Sequence, residues 1–338
     1  MFPAAGRGHG SKALPDRRLR SLAWQTGVAV SAILVARYLA SNAAGNLLDL
    51  GVASGFDFLL REAGFEIGES TFLSYNAADT YLRALSVGFL NTVRVASLAI
   101  VLSTLLGTYV GLARLSNNWL LAKLAAAYVE TIRNVPLVVQ LFFIYVLITE
   151  NLPPPGEALN PIAGVFLSNR GIAFPILALG TPVRLDYPHL SGFDFTGGGS
   201  LSPEFATLLL GLAFYTAAFI AEIVRAGLLA VERGQLEAGY SSGLPHAQVM
   251  RFIVVPQALR AIVPPLTSQY LNCTKNSSLA VAIGYPDLVS IANTTINQTG
   301  QAIEGFTIII VVYLAISLTT SGVMNWYNRR FALRGNRP

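Results

Sequence analysis

Six runs of this chain are each long and apolar enough to cross a lipid bilayer, and nothing else in the sequence restricts the fold as strongly. They lie near residues 22–40, 84–113, 122–148, 205–230, 261–284 and 305–325. A helix needs about 20 residues to cross the hydrocarbon. Lipid supplies no hydrogen bonds to the backbone, so only helices and closed barrels can cross it, and these runs are longer than barrel strands. The expected fold is therefore an all-α membrane protein with about six transmembrane helices. Composition agrees. Only 12% of the residues are charged and 53% are hydrophobic, whereas a soluble domain carries about 25% charged residues.

The formal net charge is +5, but the basic residues sit at the ends of the apolar runs and form no stripe that would suit nucleic acid. They read as topology signals. Arg7, Lys12, Arg17, Arg18 and Arg20 precede the first run, and Arg114 and Lys123 follow the second. Arg233, Arg251 and Arg260 separate the fourth from the fifth, and Arg329, Arg330, Arg334 and Arg337 close the chain. The other side holds Arg61, Arg170, Arg184 and Arg83 in longer loops. Both termini are expected in the cytoplasm, in agreement with an even number of spans, and the expected location is a bacterial inner membrane. The organisation expected is a cytoplasmic tail (1–21), an extra first helix with an external segment (22–83), a core (84–328) and a basic tail (329–338). The first helix reads as uncleaved, although Ala43-Ala44-Gly45 resembles a processing site. Within 41–83, Phe56, Phe58, Leu59, Leu60 and Phe65 suggest an amphipathic helix on the membrane surface. The insert 150–204 is rich in Pro and Gly and reads as irregular and external, either docking a partner or merely connecting.

Several chemistries are excluded. Cys273 stands alone, so one chain can build neither a disulfide nor a thiolate metal site. No Gly-x-x-x-x-Gly-Lys-Ser/Thr loop is present, so nucleotide would have to bind elsewhere. His9, His189 and His246 all fall outside the spans, which removes histidine catalysis within the membrane.

The loop 231–260 is the most informative segment. Pro245 suits the first turn of a short helix, and Pro256 is expected to end or kink it. Glu237, Ala238, Gly243, Ile253 and Pro256 fall at the spacing Glu-Ala-Ala, three residues, Gly, nine residues, Ile, one residue, Leu-Pro, with Gly239 and Val255 as the two departures. This pattern resembles the cytoplasmic signature of permease subunits of binding-protein-dependent ABC importers. Tyr128–Phe143, Ala221–Gly227 and Thr274–Leu279 resemble the polar amino-acid permeases, and the type is closest to the general L-amino-acid or glutamate/glutamine/aspartate/asparagine systems. Relative to that type the stretch between the third and fourth runs is shortened. The resemblance implies a type I importer permease fold and a coupling helix formed by Glu237, Ala238, Gly243, Leu244, Pro245, His246, Arg251, Ile253 and Pro256. It also implies an ATPase dimer carrying ATP and Mg, a second and related permease chain, an external amino-acid-binding protein, and no cofactor in this chain.

Ionisable residues inside spans cost about 2.5–3.5 kcal/mol on insertion scales and usually face a cavity or a partner. Glu130 with Arg133, and Glu222 with Arg225, stand three residues apart, so each pair is either a local ion pair or part of a pathway. A zwitterionic amino acid needs a cation for its carboxylate and an anion or carbonyls for its ammonium. Arg94 or Lys275 would meet the first and Glu130 or Glu222 the second. The polar run around Asn276 and Ser277 is expected to interrupt the fifth helix and free backbone groups for a ligand. A gradient-driven secondary transporter or channel is the alternative. It accommodates these charges but gives no reason for the spacing from Glu237 to Pro256.

Overall fold

The computed structural model describes residues 17–49, 55–178 and 184–331. The expected tails before residue 17 and after residue 331 lie outside them. The chain divides into two units, Met1–Gly55 and Phe56–Pro338. The first contains helix α1 (Arg17–Asp49). The second contains α2 (Tyr81–Ala113), α3 (Trp119–Asn134), α4 (Leu137–Asn151), α5 (Pro203–Leu229), α6 (Arg233–Ser241), α7 (His246–Val249), α8 (Val255–Asn276), α9 (Leu288–Thr299) and α10 (Ala302–Phe331).

Among the described residues four helices are long and apolar enough to cross a membrane: Tyr81–Ala113, Pro203–Leu229, His246–Ile283 and Ala302–Trp326. The pair α3–α4 makes a fifth crossing if it counts as one broken span. A count of six is not confirmed among the described residues. The first expected run lies in α1, which is not one of these four. The third, expected as one helix, is bent by 106° between α3 and α4. Proline disfavours helical backbone in the residue before it, and Val135 is extended (φ −98°, ψ 129°) ahead of Pro136. The break frees carbonyls that lipid cannot satisfy. Gln140, nearly buried, donates its amide to the carbonyls of Ile132 (2.8 Å) and Val135 (2.9 Å) and repairs the loss.

Helices α2 and α5 form the spine of the bundle and run in the same direction. Their contact is close because Gly107 and Gly111 face α5. A Cβ on Gly107 would lie 2.8 Å from the Ala217 carbonyl, and one on Gly111 would lie 2.7 Å from the Ala221 carbonyl. Small residues spaced by four allow backbones to approach in this way where lipid gives no hydrophobic drive. Val95, Leu141, Phe205, Leu208, Leu212 and Tyr285 pack the core beside this seam.

Two expectations for the connecting segments are corrected. The insert 150–204 is not irregular throughout. Strands β1 (Leu159–Ile162), β2 (Val165–Ser168), β3 (Gly171–Phe174) and β8 (Gly199–Leu201) form an antiparallel sheet in the order β1-β2-β3-β8. Strand β4 (Ile176–Ala178) pairs with β5 (Arg184–Asp186), and β6 (His189–Ser191) with β7 (Asp194–Thr196). The chain is thus mostly helical, not all-α. The glycine run belongs to this order: Gly197 and Gly198 take positive φ (74° and 60°), and the Gly198 amide donates to Asp186 (2.8 Å) at the entry to β8. In place of a surface helix, residues 55–80 hold one 3-10 turn (Asp57–Leu60) and then an irregular strap tied along its length. Its amides at Ala63 and Gly64 donate to Asp79 and Ala77, and Phe58 is buried against Tyr81, Leu85, Leu288 and Ile291. Phe58 is thus drawn into the protein core, with Leu59 and Phe65 packed partly against it, while Phe56 and Leu60 stay exposed.

A buried polar seam joins α2 to the entry of α9. Asn91 donates to the carbonyls of Glu69 and Pro286 (2.9 Å each), and Thr92 accepts from the Leu288 amide (3.0 Å). Asp287, fully buried, caps α9 by accepting from the Ser290 amide (2.8 Å). Burial pushes its carboxyl up from 3.8 to about 7. A pKa raised on folding means that the folded chain holds the proton more tightly than the unfolded one. The stabilisation is complete below about pH 4 and is lost as pH rises through about 7. Asp287→Asn keeps a capping oxygen and removes the charge. Its melting temperature in detergent is expected to gain on wild type more at pH 8 than at pH 5. An equal difference at both pH values would count against this assignment.

Candidate functional site

The loop between α5 and α8 is set at one end of the bundle, opposite the insert, because α5 starts at the insert and runs 27 residues, about 40 Å, to reach it. Helix α6 ends in two bonds that define its turn. The Gly243 amide donates to Tyr240 O (2.9 Å), and the Leu244 amide donates to Gly239 O (3.3 Å). This is the Schellman arrangement, which requires a left-handed residue after the helix, and Gly243 supplies it with φ +77°. The Pro245 carbonyl then opens α7 by accepting from Gln248 and Val249.

The motif positions divide between packing and display. A Cβ on Gly239 would lie 2.7 Å from Ile253 Cδ1 and 3.1 Å from Val249 Cγ2. Gly239 therefore lets α6 lie directly on Val249 and Ile253, which accounts for the motif's small residue and its isoleucine. Glu237, Ala238, Gly243, Pro245, His246 and Arg251 are exposed, while Leu244, Ile253 and Pro256 are half-buried. Two aromatic residues on display were not among the expected coupling residues. Tyr240 hydrogen-bonds His246 Nδ1 (2.8 Å) with its ring stacked at 10°, and Phe252 is 63% exposed beneath the Arg251 guanidinium. Exposed aromatic residues beside a signature were the available signal.

The expectation that Pro256 ends the coupling helix is corrected. Residues Met250–Val254 form a π-turn, and the helix continues from α7 into α8 with Pro256 in its first turn. A π-turn shifts the hydrogen-bond register by one residue, so the missing proline N–H falls where the change of register already leaves a gap. The loop is thereby joined by unbroken helix to the interior of the bundle.

The proposed pathway residues are not brought together. Glu222 on α5 bonds Arg225 (2.5 and 3.3 Å) and also Arg114 at the end of α2. It serves as a clamp between helices near the loop. Glu130 and Arg133 do not pair: both are exposed on α3, Glu130 makes no ion pair among the described residues, and Arg133 sits 5.0 Å from the Phe219 ring centre. Arg94 lies toward the opposite end. It bonds Thr71 (2.8 Å), meets Glu69 (3.4 Å) and covers the Phe205 ring at 4.0 Å. Helix α8 gives way to a 3-10 segment (Ser277–Ile283) at the expected place. The interruption frees little backbone: Ser277 is buried and donates to Thr274 O (2.7 Å), Asn276 is half-buried, and Lys275 is exposed.

A partly open and almost wholly apolar cavity of about 490 Å³ lies beside α8, between Thr104, Leu112, Val224, Leu259, Tyr270 and Met324. Among the described residues no cluster of His, Cys, Asp and Glu can hold a metal ion.

Residues 103–333 match the family described as binding-protein-dependent transport system inner membrane component. The putative amino-acid ABC transporter permease protein YhdX of Escherichia coli (strain K12) is 43% identical, over 96% of this chain and 97% of its own. The general L-amino acid transport system permease protein AapQ of Rhizobium johnstonii is 41% identical, over 95% and 94%. A crystal structure of an amino acid ABC transporter with histidines superposes with a TM-score of 0.54 at 28% identity, over 74% of this chain and 95% of that one. The chain therefore belongs to the binding-protein-dependent transport system inner membrane components, as a multi-pass ABC permease subunit that leaves ATP hydrolysis to separate subunits.

Proposed function

We propose that this chain forms half of an alternating-access pathway for amino acids, driven through its 231–260 loop by an ATPase dimer and supplied by an external binding protein. The observation that carries the proposal is the loop itself: an exposed, glycine-terminated turn packed through Gly239 and continuous by helix with α8. A push on such an element moves α8 as a rod. The pathway is shared with a second permease chain. Lys275 is exposed on α8 at membrane depth, where a lone ammonium is costly, and the apolar cavity beside α8 is partly open, as a half-channel would be.

The loop end is the cytoplasmic end. Arg114, Lys123, Arg233, Arg251 and Arg260 all belong to it, as the positive-inside rule requires. Helices α2, α5 and α10 point toward it, which puts the C-terminus in the cytoplasm. A crossing by α1 puts the N-terminus there as well. The domain limits follow: 84–328 as core, 150–204 external, and 231–260 as the coupling loop.

The test is reconstitution in liposomes with the ATPase, the partner permease and the binding protein. Uptake of radiolabelled L-amino acid is expected only with ATP and the binding protein present. Uptake that follows a proton or sodium gradient without nucleotide would overturn the proposal.

A further inference from the structure

We infer that α3 and α8 form the face through which this subunit meets its second permease chain, with Glu130 and Lys275 each paired to an opposite charge on that chain. The inference rests on the importer reading and adds to it a surface, two named charges and the chemistry of the neighbour.

Both charges lie near mid-depth. Tyr270 on α8 bonds Thr104 on α2 (2.9 Å). Lys275 stands about 7.5 Å further along α8, away from the loop, which brings it near the middle of α2 (Tyr81–Ala113). The Tyr128 hydroxyl on α3 donates to Phe214 O (2.7 Å) near the middle of α5 (Pro203–Leu229). Glu130 follows about 3 Å further along α3.

Both charges are exposed, and neither makes an ion pair among the described residues. Their surroundings are polar too. Ser268, Asn272 and Lys275 recur at the spacing of one helix face on α8, and all three are exposed. Glu130 and Asn134 share a face of α3 with Thr131, all exposed as well. Lipid is a poor neighbour for such faces, and charges within spans turn to a partner or a water-filled cavity. The chain itself offers no remedy. Helices α3 and α8 each pack on α5, no bond joins Glu130 to Lys275, and Arg133 turns to the Phe219 ring (5.0 Å) instead of Glu130.

A related chain resolves both deficits at once. In a two-fold arrangement, a contact from α3 of one chain to α8 of the other is returned in reverse. A neighbour with a carboxylate at the position of Glu130 and a cation at the position of Lys275 thus supplies two reciprocal pairs. Complementary charges of this kind also fix register and reject wrong partners.

The test uses the complete complex, with an affinity tag on this chain and the amount of second permease retained as the readout. Lys275→Glu is expected to lower that amount by roughly 10-fold or more, because like charges then face each other. Changing the partner's carboxylate aligned with Glu130 to lysine is expected to restore it. Glu130→Lys combined with Lys275→Glu in this chain alone sets up two like-charge contacts and is expected to retain less than either single change. Restoration by that combination would put the pair within one chain and overturn the inference. Normal retention in Lys275→Glu with uptake lost would assign the ammonium to the solute or to water in the pathway, and overturns it as well. So does a second permease with no carboxylate at the aligned position. Should Lys275→Glu fail to insert, Lys275→Cys with a cysteine at the aligned partner position, in chains otherwise free of cysteine, is expected to join the two permeases through a disulfide under mild oxidation. No cross-link would overturn the pairing. Absence of ATP-driven uptake in wild type strikes the importer reading itself and leaves retention as the measure of the pairing.

Discussion

Replacing Gly243 with valine is expected to reduce ATP-driven uptake at least 10-fold while the subunit still inserts and purifies normally. The residue sits at φ +77° and closes α6 through the bonds from Gly243 to Tyr240 and from Leu244 to Gly239. An L-residue in the left-handed region costs about 1–2 kcal/mol, more for a β-branched one. No Cβ clash is involved, because nothing lies within 4 Å of the Cβ position. The penalty is therefore purely one of backbone conformation, and that makes the prediction sharp. Asparagine tolerates this conformation, so Gly243→Asn is expected to keep most activity, with alanine between it and valine. The relaxed turn displaces α7 relative to α6, and the surface formed by Glu237, Tyr240 and His246 no longer matches its partner. Substrate-stimulated ATP hydrolysis in the reconstituted complex measures the effect. Equal activity in all three variants would show that the turn does not transmit force.

The loop was legible because its information is local. A glycine after a helix, prolines flanking a short turn and a fixed spacing all act within some twenty residues. What was missed depends on partners distant in sequence or on compensation. Pro256 reads as a stop, and only the π-turn before it shows how the helix continues. Pro136 reads as one residue inside an apolar run, yet it divides the run because Gln140 is placed to satisfy the freed carbonyls. The glycines at 107 and 111 display the small-residue spacing, but nothing in the sequence names Ala217 and Ala221 as their partners. The strands of the insert are three or four residues each, too short to establish an alternating pattern against the Pro and Gly around them. Among the charges, the local pair Glu222–Arg225 was readable, whereas the third member, Arg114, stands 108 positions away.

That third member leads to the second large effect, on stability. Glu222 is the only anion of a three-charge cluster, and its two cations come from different helices. Glu222→Gln leaves Arg114 and Arg225 facing each other with no counter-charge. Breaking a buried pair from one side costs about 3–5 kcal/mol. The side chains here remain 15–30% exposed, so water recovers part of that, and we expect a loss of about 2 kcal/mol. Arg114→Gln is expected to cost less, because it leaves the Glu222–Arg225 pair intact. The double change Glu222→Gln with Arg225→Gln is expected to recover part of the loss by removing the repulsion, a coupling that a double-mutant cycle isolates. Melting temperatures in detergent rank the variants, and added salt is expected to narrow the gaps through the exposed fraction of the cluster. The order matters more than the size. If Arg114→Gln proves as damaging as Glu222→Gln, Arg114 holds α2 in place through some contact other than this carboxylate. The α2–α5 spine would then hold without this ion pair.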